Sequence, residues 1–188
     1  REKGRHGKPT LWCFDLATGH GRALGAAWDR WPSPMDFTRD DRVVVTVEDR
    51  GTVPVFTIDP IDDTLTRITR AEDGGSHEHV TLLANGSDEI IGLRHRMTHP
   101  PEVFRAALKP DTSPRLVTSL SGFTEDDARA FATVTSHEIA ATDGASIQTF
   151  VVAPRELVGP APTLVWIHGG PMSQWADAWH WRWNALVA

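Results

Sequence analysis

Paired cysteines, a surplus of positive charge and a membrane-length apolar run are all missing from this sequence. Its one cysteine, Cys13, has no second thiol in the chain, so no internal disulfide forms and a reducing compartment, the cytoplasm, is the expected location. With 19 Lys+Arg against 25 Asp+Glu the net charge is −6, which argues against a nucleic-acid partner. The longest aliphatic stretches, such as Leu164 to Ile167, fall far short of the ~20 residues that cross a bilayer, so no membrane span is expected. No metal-ligand set or cofactor motif emerges either. What is present is ordinary globular composition, 40% hydrophobic and 23% charged, enough to bury a core.

The two ends stand apart from these averages. Residue 1 is Arg, so the natural N-terminus and any signal peptide are expected to precede it. Residues 156–188 carry only three formal charges (Glu156, Asp177, Arg182) but five of the eight tryptophans, Trp166, Trp175, Trp179, Trp181 and Trp183. So apolar an end reads as a fragment whose last third is meant to be covered by further sequence.

Between residues 11 and 120, short β-rich runs alternate with turn residues and helical periodicity is scarce, the pattern of antiparallel all-β structure. Three segments look alike, 11–16, 53–59 and 102–108, and their phenylalanines Phe14, Phe56 and Phe104 stand 42 and 48 residues apart. Each is followed by a turn and a second strand. A further strand–turn–strand marker at 37–43 returns at 83–90, 46 residues on. A period in the forties with about four strands per unit is the signature of β-propeller blades. A β-sandwich whose strands happen to match in length is the alternative reading of the same pattern.

After Ser121 the pattern changes. Thr124-Glu-Asp-Asp127 is an N-capping signature that predicts a short helix to about Phe131. Residues 138–142 and 145–152 read as a hairpin around Asp143-Gly144. Pro154, Pro160 and Pro162 mark a loop, Thr163-Leu-Val-Trp-Ile167 reads as a strand buried on both faces, and Trp175, Trp179, Trp183 and Leu186 recur at the spacing of an amphipathic helix starting near Ser173. Residues 1–122 are therefore expected to be all-β and residues 123–188 to begin an α/β domain.

The chemistry concentrates in Leu164-Val-Trp-Ile-His-Gly-Gly-Pro171. A strand delivers the chain into a turn where Gly169 and Gly170, lacking Cβ atoms, can bring backbone N–H groups against a substrate oxygen. One such oxyanion donor contributes roughly 3–4 kcal/mol to transition-state stabilisation in acyl transfer. In α/β-hydrolases one donor comes from this early loop and the other from the residue after the nucleophilic serine.

His168-Gly-Gly-Pro171, the Thr142-Asp-Gly144 hairpin, Phe150-Val-Val-Ala-Pro154 and Trp181-Arg-Trp-Asn-Ala-Leu-Val-Ala188 together resemble the propeller-to-hydrolase junction of prolyl oligopeptidase family serine peptidases. Thr98-His-Pro-Pro-Glu-Val-Phe104 looks like a late blade of their acylaminoacyl- and dipeptidyl-peptidase branches. The resemblance implies the last blades of a β-propeller over 1–122 and the N-terminal part of an α/β-hydrolase domain over 123–188. It implies peptide substrates, a Ser-Asp-His triad, and oxyanion donation by the N–H of Gly170 first and Gly169 next, with His168 structural. No cofactor follows from it.

The resemblance also has a gap. No Gly-x-Ser-x-Gly elbow occurs, Ser146 lies in an expected strand, and Ser76 beside His77 is sequence adjacency without triad geometry. The triad is expected beyond Ala188, leaving this chain alone catalytically silent. An esterase or lipase is the same-fold alternative, disfavoured by Pro171 and the repeats. A non-catalytic propeller that binds peptides is the other, and it predicts no downstream triad. Among weaker signals, His77 and His79 are expected in a solvent-facing loop and not as metal ligands. Arg94 and Arg96 are a basic pair that a propeller tunnel could turn toward a peptide carboxylate. Cys13 reads as a buried strand residue, Arg1 to Lys8 as an exposed loop, and the tryptophans after Ser173 as core and domain-interface packing.

Overall fold

The computed structural model describes residues 9–170 and 173–187. The expected basic loop over residues 1–8, Pro171 and Ala188 lie outside the described residues.

Four antiparallel sheets follow one another along the chain. The first pairs β1 (Leu11–Phe14) with β2 (Gly21–Leu24), joined by a turn in which the Asp15 carboxylate accepts from the N–H groups of Ala17 and Thr18 at 2.9 and 2.8 Å. The second runs β3 (Pro32–Phe37), β4 (Val43–Val47), β5 (Val55–Ile58), β6 (Leu65–Arg67) in consecutive order. The third repeats that order with β7 (Ser76–Leu82), β8 (Glu89–Arg96), β9 (His99–Ala107) and β10 (Arg115–Leu116). Phe56 and Phe104 occupy the third strand of their respective sheets, and β1 with β2 repeats the third and fourth, so the spacing read from the phenylalanines is a spacing of sheets.

Packing explains why β4 reads Val-Val-Val-Thr-Val with every residue buried. Strand side chains alternate between faces. Val43, Val45 and Val47 join Leu24 and Ile58, with half-buried Cys13, Leu11 and Trp28, in a core shared with the first sheet. Val44 joins Val55, Ile68, Val80, Ile90, Phe104 and Ala106 in a core shared with the third. The second sheet is thus covered on both faces by its neighbours. Hydrogen bonds reinforce the stacking. The Asp36 carboxylate on β3 accepts from Thr81 Oγ1 at 2.6 Å and Leu82 N at 2.8 Å, and these two bonds, against the opposition of burial, hold its carboxyl below the usual range. Parallel bridges at Val53–Ser76 and Thr69–Thr112 close the seam.

The helix α1 (Glu125–Phe131) starts on the predicted cap. Thr124 accepts from Asp127 N while the Asp127 carboxylate accepts from Thr124 N at 2.7 Å, a complete capping box. The hairpin of β11 (Ala132–Ala140) and β12 (Ser146–Pro154) turns at Asp143-Gly144 as expected, with Gly144 at φ 86°. Its strands are nine residues each, longer than the sequence suggested, because Ala132 pairs with Pro154 directly after the helix.

Two expectations fail beyond the hairpin. Residues 163–167 form no strand, and Leu164, Val165 and Ile167 are exposed. A parallel strand needs a partner brought back by a crossover, and no described residues supply one. The helix expected from Ser173 begins only at Trp181, as α2 (Trp181–Val187), while Asp177 and Trp179 before it give backbone groups to the sheets instead. Among the described residues there is no parallel sheet.

Candidate active site

Residues 164–168 keep a strand-like alternation without a strand partner: Trp166 and His168 turn inward while Val165 and Ile167 face out. Trp166 enters an aromatic nest in which Trp175, His180 and Trp183 meet edge to face or tilted, with ring centroids 4.5–6.4 Å apart. The Trp175 indole N–H donates to Trp166 O at 3.1 Å, fixing the backbone two residues before the glycine turn. His168 lies close enough to Glu48, at the end of β4, to act on it electrostatically. Burial raises the Glu48 carboxyl and His168 opposes that rise.

The two glycines differ. Gly170 has φ 148°, a backbone that L side chains rarely adopt. At Gly169 nothing lies within 4 Å of where a Cβ would stand, so a side chain would meet no neighbour there and open space lies beside its peptide. Among the described residues neither N–H donates a hydrogen bond. Two undonated N–H groups beside open space form a turn able to bind an anionic oxygen.

The candidate serines are occupied elsewhere. Ser146 on β12 donates to Glu138, and Ser76, the first residue of β7, donates to Asp177 O at 3.0 Å. His77 is not in a solvent-facing loop. It is 2% exposed on β7, its Nδ1 donates to Val53 O at 2.9 Å, and its ring meets Phe104 edge to face. Burial lowers its pKa to about 4, so it packs as a neutral ring. His79 sits at a bulge with φ 51°. Among the described residues no group of three or more potential ligands could hold a metal.

The basic pair on β8 is engaged by partners within the chain, although the Arg96 side chain stays 43% exposed. Arg94 donates to Asp73 O at 2.6 Å, and Arg96 Nε donates to Asp177 Oδ2 at 3.1 Å. Between them His95 Nδ1 accepts from Trp179 N at 3.0 Å. Asp177 escaped the sequence reading as a functional residue, although a lone acid among tryptophans is itself a signal, since a carboxylate buried in such surroundings needs donors. Gln174 was missed with it. Its amide accepts from Gly51 N at 2.9 Å and donates to Thr52 O at 3.1 Å, gripping the β4–β5 turn. Glu102 was missed too. Burial opposes its ionisation, but donors from Thr118, Ser121 and Leu120 prevail and hold its carboxyl at about 2, tying β9 to the segment that leads into α1.

This arrangement has known counterparts. No family model matches the chain. The Aspergillus niger protein named "Probable dipeptidyl-peptidase 5" is 26% identical over 182 residues, 94% of this chain and 24% of that protein. The dipeptidyl-peptidase 5 of Aspergillus oryzae is 27% identical over 175 residues, 88% of this chain and 23% of that one. The acylaminoacyl peptidase of Pyrococcus horikoshii superposes with a TM-score of 0.71 at 16% identity, covering 95% of this chain and 26% of that one. The chain is thus similar in sequence to proteins named dipeptidyl-peptidase 5 and in fold to part of an acylaminoacyl peptidase. It spans about a quarter of the length of the curated relatives it matches. Among the described residues no helix is long and apolar enough to cross a membrane.

Proposed function

We propose that this chain is the propeller-to-hydrolase junction of a serine peptidase that cleaves short peptides through an acyl-enzyme. In this reading the sheets from β1 to β10 are the last blades of a β-propeller, residues 123–188 open an α/β-hydrolase domain, and the backbone N–H of Gly170, assisted by Gly169, stabilises the oxyanion of the tetrahedral intermediate. The observation that carries it is the turn itself: two undonated N–H groups, one fixed by a positive φ, anchored through Trp166 and Trp175 beside the stacked sheets. The names of the relatives support peptides as substrates, and the stacked sheets would admit short ones by walling the approach to the turn. His168 positions the turn and carries no proton in the reaction.

The test takes the protein expressed from its complete coding sequence, offers it dipeptidyl and N-acetyl-aminoacyl anilides beside matched esters, and treats it with a fluorophosphonate probe. Anilide turnover abolished by labelling of a single serine supports the reading. Ester turnover without anilide turnover would make it an esterase, and no turnover with no labelled serine would leave a binding module.

A further inference from the structure

Among the described residues of the C-terminal segment, Asp177 makes the most polar contacts with the sheets. Its side chain is 13% exposed. The carboxylate accepts from Gly75 N at 2.9 Å and Arg96 Nε at 3.1 Å through Oδ2, and from Met97 N at 2.8 Å through Oδ1. Its own N–H donates to Gly51 O at 2.6 Å, and its carbonyl accepts from Ser76 Oγ at 3.0 Å. These five partners come from three places: the β4–β5 turn of the second sheet, the start of β7, and the β8–β9 turn of the third. The approach is close. A Cβ on Gly74, at φ 57°, would stand 3.2 Å from Oδ2.

The contacts lead toward the glycine turn. Gln174 and Asp177 bracket Trp175, so both ends of that short stretch are pinned to the sheets. Trp175 in turn holds the Trp166 carbonyl, and His168, Gly169 and Gly170 follow within four residues. The turn has no strand ladder of its own to hold it, because residues 163–167 pair with nothing among the described residues. Its placement therefore depends on Trp175, and that of Trp175 on the two anchors.

We propose that Asp177 is a positioning residue that sets the Gly169–Gly170 N–H groups through Trp175 and Trp166, making the stacked sheets part of the oxyanion site's framework. This rests on the reading of the turn as an oxyanion site. An N–H displaced by about 1 Å from the developing charge can lower rate about 100-fold without changing how the rest of the substrate is held. Arg96 is a partner in this anchor, and the two backbone donors keep Asp177 engaged when Arg96 is removed.

The test compares Asp177→Ala, Asp177→Asn and Gln174→Ala with wild type in the protein from its complete coding sequence. Three readouts are taken: kcat and KM on an anilide, affinity for a peptidyl boronic acid that forms the tetrahedral adduct, and amide hydrogen exchange over 164–170. The expected result is a 10- to 100-fold fall in kcat for Asp177→Ala with KM within about threefold, a matching loss of boronate affinity, and exchange over 164–170 faster by tenfold or more. Asp177→Asn, which keeps an acceptor but points two N–H groups at donors, should fall between it and wild type, and covers the case in which the alanine variant does not fold. Active wild type with kcat retained in both Asp177 variants overturns this proposal alone. Wild type that turns over neither the anilide nor the matched ester overturns the oxyanion reading, and this proposal with it.

Discussion

The stacked sheets and the segment that follows them obey different packing economies. From β1 to β10 the valines of β4, with Val55, Ile58, Ile68, Val80, Ile90 and Phe104, are buried between sheets, and one sheet contributes to two cores. From Ala132 to Gly170 the apolar residues Ile139, Ile147, Val151, Leu164, Val165 and Ile167 stay exposed. The difference lies in where each kind of strand finds its partners. An antiparallel meander takes its hydrogen bonds from the next few residues and its core from the neighbouring repeat, so it completes itself locally. An extended segment with no strand partner among the described residues has neither, and residues 163–167 are held by aromatic contacts and side-chain anchors instead.

The sharpest way to break that contrast is Phe104→Ala. Truncating a fully buried aromatic should cost about 3–5 kcal/mol, read as lost hydrogen-exchange protection in β8 and β9, whereas Val158→Ala, 93% exposed, should stay within about 0.5 kcal/mol. Comparable losses at the two positions would mean that the regions do not differ in packing.

Acid should act on the sheets first through His77. Its folded pKa of about 4 lies below the ordinary value of 6.5, so between those values the unfolded chain binds a proton that the folded chain refuses. Stability must therefore fall as pH falls from 6.5 toward 4, by roughly 2–3 kcal/mol at pH 4.5. His77→Phe, which leaves Val53 O accepting from the residue 77 N–H, should flatten that slope in urea titrations at pH 7 and 4.5. An unchanged slope would assign the acid sensitivity elsewhere.

The junction should respond to Glu102→Gln with a loss of about 1–3 kcal/mol, since an amide presents N–H groups to donors that a carboxylate accepts. The wild-type carboxylate's contribution has the opposite position on the pH axis from His77. It is complete above about 4.5 and disappears as pH falls through about 2, so a denaturation series between those values should separate wild type from variant at its upper end and merge them at its lower end. Smallest of the set, Thr124→Ala should cost about 1 kcal/mol by removing the cap of α1, seen as faster exchange in residues 126–131 while the sheets are unmoved.

How much was legible in the sequence follows the same division. The meander could be read because Phe14, Phe56 and Phe104 recur with the sheets, and the cap because Thr124 and Asp127 are neighbours in sequence as well as in space. Gly169 and Gly170 were picked out by lacking side chains, and Gly170 takes the positive φ that glycine allows. The strand at 163–167 was misplaced because its apolar pattern describes a destination and says nothing of a partner. His77 was misjudged because a histidine between Ser76 and Glu78 looks polar from both sides, while the residues that bury it, Val53 and Phe104, are far away in sequence. Asp177 and Gln174 were invisible for the same reason: Gly51, Gly75 and Arg96, which give them meaning, lie 81 to 126 residues upstream.

The β4–β5 turn shows where that distance matters most. Gly51 sits there at φ 71° with the Phe150 ring packed so closely that a Cβ would stand 2.5 Å from it, while Gln174 and Asp177 take its N–H and carbonyl and Gln148 donates to Arg50 O. Turns between strands are ordinarily where a protein accepts insertions and drifts in sequence. This one is a keystone. A mutational tolerance map of the chain should find it as unforgiving as the valines of β4, and a library built by inserting residues into surface loops should recover clones at the 15–20 and 59–64 turns and almost none at 49–52.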